Sequence, residues 1–111
     1  MMPGMKLGKD LVAASAVPLV LSLLQDGESY GYAIIQRVRE LSGGQMRWTD
    51  GMLYPVLHRL EDQGVIVSRW KTADTGRRRK YYALNRRGRS ALEEHKAQWR
   101  LVNAALATMW G

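Results

Sequence analysis

At 111 residues the chain is long enough for one domain with a modest core and short enough that association would help stabilise it. It has no cysteine, which excludes disulfides, thiolate metal ligands and cysteine nucleophiles and leaves the reducing cytoplasm as the expected compartment. The formal charge of +7 is local: residues 69–89 hold nine cations against Asp74 alone, or +8, so the rest of the chain sums to about −1, and such a patch points to a polyanionic partner.

The first predicted element is an apolar helix over about 10–25, preceded by a flexible N-terminus at 1–9. Its run "LVAASAVPLVLSLL" has the outline of a signal peptide, but Asp10 lies in the would-be basic part and no small-x-small cleavage site follows. It is also shorter than the roughly 20 residues of a membrane span. It reads as a core helix with no membrane role, and Pro18 should kink it unless it lies in a first turn.

"GESYGYAIIQRVRELSGG" predicts a second, amphipathic helix, with Ile34, Val38 and Leu41 on one face and Gly43-Gly44 as its stop. "RWTDGMLYPVLHRLEDQG" predicts a third, with Thr49 as N-cap, Asp50 in the first turn and Gly64 at the end. Leu53, Val56, Leu57 and Leu60 share its inner face, while Gly51, Tyr54, Pro55, His58 and Arg59 fan across the other. That outer face is hardly charged, which suits close approach to another surface. Pro55 stands against it, because a mid-helix proline costs about 3 kcal/mol.

"VIVSRWK" and "KYYAL" then predict a β-hairpin, joined by the polar "TADTGRRR". The connection is longer than a tight turn and should project, with the cations Arg77, Arg78, Arg79 and Lys80 at or beside its tip. Finally Asn85 caps a long helix over about 86–110. Leu92, His95, Trp99, Val102, Leu106 and Met109 recur along it at spacings of 3, 4, 3, 4 and 3. This seam predicts a contact between two copies of the chain, the alternative being one stripe packed on the domain's own core.

The fold class is therefore mainly α with a small β-hairpin (α+β). Three helices and a hairpin are the order of a winged helix-turn-helix, 1–85, followed by a C-terminal dimerisation helix, 86–111. In such a fold the third helix enters the major groove and the hairpin reaches the flanking backbone. Phosphates would relieve the mutual repulsion of the "GRRRK" cations and release counterions. Strand alternation lets only about half of them face DNA. Arg77 is a candidate for a narrow A/T minor groove.

"YGYAIIQRV", "GMLYPVLHRLEDQGVI" and "GRRRKYYALNRRG" together resemble the PadR family of bacterial transcriptional regulators, in its short subfamily with a single C-terminal helix. The resemblance runs from about Pro18 to the end. It implies a homodimeric winged-helix repressor on a pseudo-palindromic operator in double-stranded DNA. It also implies that the proline at position 55 is part of the family pattern. Carried onto this chain, it assigns Tyr54 and Pro55 to the exposed side of the recognition helix and Gly76 through Lys80 to the wing. Tyr30 and Tyr32 fall at the start of the second helix, packed or touching phosphate. The chain departs from the family at Asn85, often Thr, and at Ala83, often Arg.

The expected DNA-binding residues are thus Tyr32, Thr49, Gly51, Tyr54, Pro55, His58, Arg59, Arg77, Arg78, Arg79 and Lys80. The outer face of the third helix offers no Asn or Gln near its start for bidentate base reading, so shape should carry part of the specificity. Trp99 at a two-fold axis could face its own copy, and the resemblance implies that some short members hold flat aromatic effectors between such helices. Trp99 and His95 are the effector candidates, and a buried His95 would make the dimer pH-sensitive. His58 and His95 stand 37 residues apart with no companion cysteine and few nearby acids, so neither a metal site nor catalysis is expected, nor any cofactor. The rival reading is a winged helix gripping an acidic protein or folded RNA without operator specificity.

Overall fold

The computed structural model describes residues 5–111. Part of the expected N-terminal segment, residues 1–4, lies outside the described residues. Residues 5–8 carry no regular element. The order is α1 (Lys9–Gln25), β1 (Ser29–Tyr30), α2 (Gly31–Leu41), α3 (Asp50–Asp62), β2 (Ile66–Thr72), β3 (Arg78–Leu84) and α4 (Arg86–Trp110). This is the expected α+β winged helix with a long C-terminal helix.

Helix α1 buries Ala16, Val20, Leu21 and Leu24, and no helix among the described residues is long and apolar enough to cross a membrane. It continues through Pro18, which sits in its second half rather than at a start. The missing N–H leaves the carbonyl of Ala14, on an exposed position, without its usual partner. Helix α3 likewise continues through Pro55. Gly51, four residues earlier, is exposed, so solvent can satisfy the freed carbonyl. The Thr49 hydroxyl caps α3 by accepting from Met52 N–H at 3.3 Å.

Leu53, Leu57 and Leu60 of α3 close the core with Ile34 and Val38 of α2, and Trp48 anchors the α2–α3 loop into it. These side chains are the inner faces of the predicted helical stripes, and their burial is what holds the helices at fixed angles.

The hairpin departs from expectation in two ways. It is a three-stranded antiparallel sheet in the order β1-β3-β2, because Ser29 and Tyr30 pair with Tyr82 and Tyr81. A two-residue strand has too little pattern to stand out in sequence. The connection is also shorter than predicted: β2 runs to Thr72 and β3 begins at Arg78. Ala73 N–H donates to Arg77 O at 2.8 Å and Gly76 N–H to Ala73 O at 2.8 Å. Gly76 takes φ +86°, which closes this tight turn without a Cβ penalty.

Helix α4 is joined to the sheet through Asn85. Its Oδ1 accepts from Gly88 N–H at 2.8 Å and its Nδ2 donates to Gly64 O at 2.7 Å, so one side chain caps α4 and ties it to the end of α3. Gly88 is buried against the Val65 carbonyl, where a Cβ would overlap that oxygen. The first half of α4 packs on α1 and β3, while every residue from 100 to 111 is exposed.

Candidate nucleic-acid interface

The N-terminus of α2, the outer face of α3 and the sheet converge on one open cleft of about 440 Å³. Tyr54 and His58 form its α3 wall, Tyr32 its α2 wall, and Trp70, Arg78 and Lys80 its sheet wall, and none of its lining residues is acidic.

Tyr32 is 65% exposed, whereas Tyr54 is 37% exposed because its ring lies over Gly31. Gly51, Pro55, His58 and Arg59 are exposed on the same helix. Arg59 turns the other way, lining a groove between α1 and α3 with Lys9 and Met52. Thr49 is exposed, but its hydroxyl is engaged in the helix cap. Tyr30 belongs to the sheet, packed edge-on against Tyr81 with ring centres 5.3 Å apart.

The cations do not form one cluster at the tip. Only Arg77 lies in the turn, whereas Arg78, Arg79 and Lys80 are in β3. Alternation then separates them. Arg78 and Lys80 share the face of Tyr82, which turns toward α3, where Ser68 donates to Glu61 and Lys80 Nζ stands 4.0 Å from Glu61 Oε1. Arg79 is on the opposite face, with its guanidinium 4.4 Å from the Tyr30 ring centre. Like charges tolerate adjacency here because each has its own neighbour: Arg78 lies 5.3 Å from the Trp70 ring centre and Lys71 4.7 Å from that of Tyr81.

Two carboxylates absent from the sequence-based expectation trim this charge. Glu28 accepts from Lys71 Nζ at 2.6 Å and from Arg69 Nη2 and Nε at 3.1 and 3.3 Å, clipping the start of β1 to β2. The Arg69 hydrogen bonds first, then that of Lys71, hold the Glu28 carboxyl below the usual carboxylate range, and Glu28 in turn raises Arg69. Glu61 serves Lys80. Forty-one residues separate Glu28 from Arg69, so no local pattern could have paired them. Arg77, Arg78 and Arg79 remain without a carboxylate partner among the ion pairs of the described residues.

On α4 the predicted seam divides. Leu92 is 1% exposed in the chain's own core, a correction to its expected place between protomers: the helix spends its first turns on its own domain. His95 and Trp99 are half-buried beside Ala14 of α1, where a shallow depression of about 300 Å³ opens. Val102, Leu106 and Met109 are exposed, together with Leu101 and Trp110. No group of three or more His, Asp or Glu residues capable of holding a metal occurs among the described residues.

Comparison with known proteins gives a consistent picture. The sequence pattern described as the "Transcriptional regulator PadR-like family" matches residues 20–94. Transcriptional regulator Rv3488 of Mycobacterium tuberculosis is 40% identical over 77 residues, 69% of this chain and 68% of that protein. Among solved structures, a PadR family transcription regulator from Clostridium difficile is similar with a TM-score of 0.77 and 31% identity, over 87% of this chain and 99% of that one. A transcriptional regulator from Clostridium thermocellum reaches a TM-score of 0.81 at 28% identity, over 90% and 97% of the two chains.

Proposed function

Because the chain belongs to the PadR-like family of transcriptional regulators, we propose that it is a homodimeric repressor, acting in the bacterial cytoplasm on a pseudo-palindromic operator in double-stranded DNA. In this reading α3 enters the major groove with Gly51, Tyr54, Pro55 and His58, while the wing meets the flanking backbone and minor groove with Arg77 and Arg78. Arg79 and Lys80 add charge at the edges, and Thr49, Tyr32 and Arg59 approach neighbouring phosphates. The observation that carries the reading is the cleft itself: a nearly uncharged helix face and three cations without a carboxylate partner, Arg77, Arg78 and Arg79, meet on one concave surface with no lining carboxylate. Such a surface is built for a polyanion that must come within hydrogen-bond distance of a helix.

The dimer rests on the distal half of α4. Val102, Leu106 and Met109 are 49%, 38% and 81% exposed and lie on one stripe, leaving an apolar edge that a second copy would cover. With two α3 helices held by that contact, the half-sites lie about one helical turn, roughly 34 Å, apart. A flat aromatic effector would enter beside Trp99 and His95, where the indole supplies a π-face and His95 and Gln98 supply polar contacts. Occupancy there shifts α4 against α1 and so changes the spacing of the two α3 helices.

Selection of binding sites from fragmented duplex DNA at physiological salt tests the proposal, with Arg77→Ala/Arg78→Ala as control. The expected result is a two-fold-related site, bound more weakly by the control and with a shallower salt dependence, each lost phosphate contact removing about 0.9 from the log–log slope. Sequence-indifferent binding that structured RNA competes equally well would contradict it and favour a general polyanion grip.

A further inference from the structure

The wing carries one large apolar side chain with no core to fill. Trp70 is 59% exposed, although it stands mid-strand in β2 opposite Lys80. Its strand position puts it on the face that turns toward α3, and it lines the cleft with Tyr54, His58 and Arg78. An exposed indole there is a solubility liability, and a threonine would suit the strand as well. What the indole alone provides is a flat π-face, and that face is occupied. The Arg78 guanidinium lies 5.3 Å from the ring centre, reaching diagonally across the ladder from its own partner Thr72.

A stacked guanidinium keeps its N–H groups free at the edge. Arg79 shares this combination, but on the sheet face turned toward α3 it is peculiar to Arg78. Arg69 and Lys71 spend their donors on Glu28, and Lys80 lies beside Glu61. Arg79 stacks on Tyr30 on the opposite sheet face, and Arg77 sits in the turn. We propose that Trp70 is a positioning and specificity-determining residue: it holds the Arg78 guanidinium edge-on for insertion into a narrow minor groove beside the α3 site, so that A/T pairs are preferred there.

This inference rests on the DNA-binding reading above. Narrow A/T minor grooves carry an enhanced negative potential and present A N3 and T O2 acceptors, whereas the amino group of guanine adds a donor that opposes an arginine. An unsupported arginine is drawn to any phosphate, which carries no sequence information. A stacked one surrenders less side-chain freedom on insertion and keeps its direction. A cation–π contact at an exposed site is sufficient for about a two- to fivefold effect.

The experiment measures affinity for two duplexes that share the selected core site and differ only in A/T-rich or G/C-rich flanks. The proteins compared are the wild type, Trp70→Ala, Trp70→Phe and Arg78→Lys. The wild type should prefer the A/T flank. Trp70→Ala should lose about two- to fivefold of that preference, almost wholly through weaker binding to the A/T duplex, with its salt slope unchanged because no phosphate contact is lost. Trp70→Phe should retain most of the preference, and Arg78→Lys should keep the slope and lose the preference. A full A/T preference in Trp70→Ala, no flank preference in the wild type, or a slope that falls in Trp70→Ala would each overturn the assignment. Failure of the wild type to select any site would sink the DNA-binding reading and this inference together, whereas a specific wild-type site with flank preference untouched by Trp70→Ala sinks this inference alone.

Discussion

Replacing Gly31 by alanine should report the contact that ties the α3 groove face to the start of α2. A Cβ at Gly31 would stand 2.5 Å from the Tyr54 hydroxyl oxygen and 2.9 Å from its Cζ. Such atoms rest about 3.5 Å apart, so the ring must withdraw by about 1 Å. Tyr54 has room to do so, being 37% exposed toward the cleft. Relief through a side chain puts the cost in the lower half of the overpacking range, about 1–2 kcal/mol. Gly31 is not among the positive-φ glycines, so alanine adds no backbone strain and recovers a few tenths of a kcal/mol of helix propensity. In a Tyr54→Ala background the overlap is gone, and the same substitution should be neutral or slightly stabilising. Urea melts of the four proteins at one fixed protein concentration, combined as a double-mutant cycle, should return a coupling of about 1–2 kcal/mol. Additivity within about 0.5 kcal/mol would refute the reasoning. The displaced ring predicts a functional mark as well: Gly31→Ala should bind the selected DNA site more weakly while keeping the wild-type salt slope.

Asn85→Ala removes the α4 cap and the bond to Gly64 O together, which should cost about 1–2 kcal/mol and lower the melting temperature by roughly 5–10 °C. Glu28→Gln should lower stability slightly at pH 7. Because the Glu28 carboxyl is held below its ordinary range, its contribution is present above about pH 4.3 and disappears as pH falls through the lowered value. The gap between wild type and Glu28→Gln in thermal melts should therefore shrink as pH falls below the ordinary carboxylate range and close once Glu28 is protonated in the folded chain, and a pH-independent gap would count against the clip. Leu106→Glu/Met109→Glu alters side chains that are exposed in the single chain, so circular dichroism should be unchanged while sedimentation shifts from dimer to monomer. A dimer that survives both changes would move the interface elsewhere.

The elements whose cause is local were legible in the sequence. The Thr49 and Asn85 caps, the stripe of Leu53, Leu57 and Leu60 and the bounds of α4 all follow from a few neighbouring residues. What escaped depends on distant partners. A β3 that begins at Arg78 runs against the repulsion of adjacent cations, and it is stable because Trp70, Tyr30 and Glu61 each take one of them. Arg78 is thus a strand residue, not a tip residue, for reasons supplied from other elements. β1 exists only because β3 offers it an edge. The α4 periodicity announces an apolar stripe without saying what covers it, and Leu92 is covered by the chain's own core rather than by a partner. The family resemblance supplied what propensity opposed, a proline within the outer face of α3.

The central claim, that α3 and the wing of each protomer share one DNA surface in a two-fold dimer, is tested most directly by footprinting on the selected site. Guanine N7 protection reports major-groove contact, and hydroxyl-radical protection reports the minor-groove side of the backbone. The account predicts two N7-protected patches about one helical turn apart, each flanked outwardly by a hydroxyl-radical footprint that disappears with Arg77→Ala/Arg78→Ala. A single patch, or uniform backbone protection unaffected by those substitutions, would contradict it.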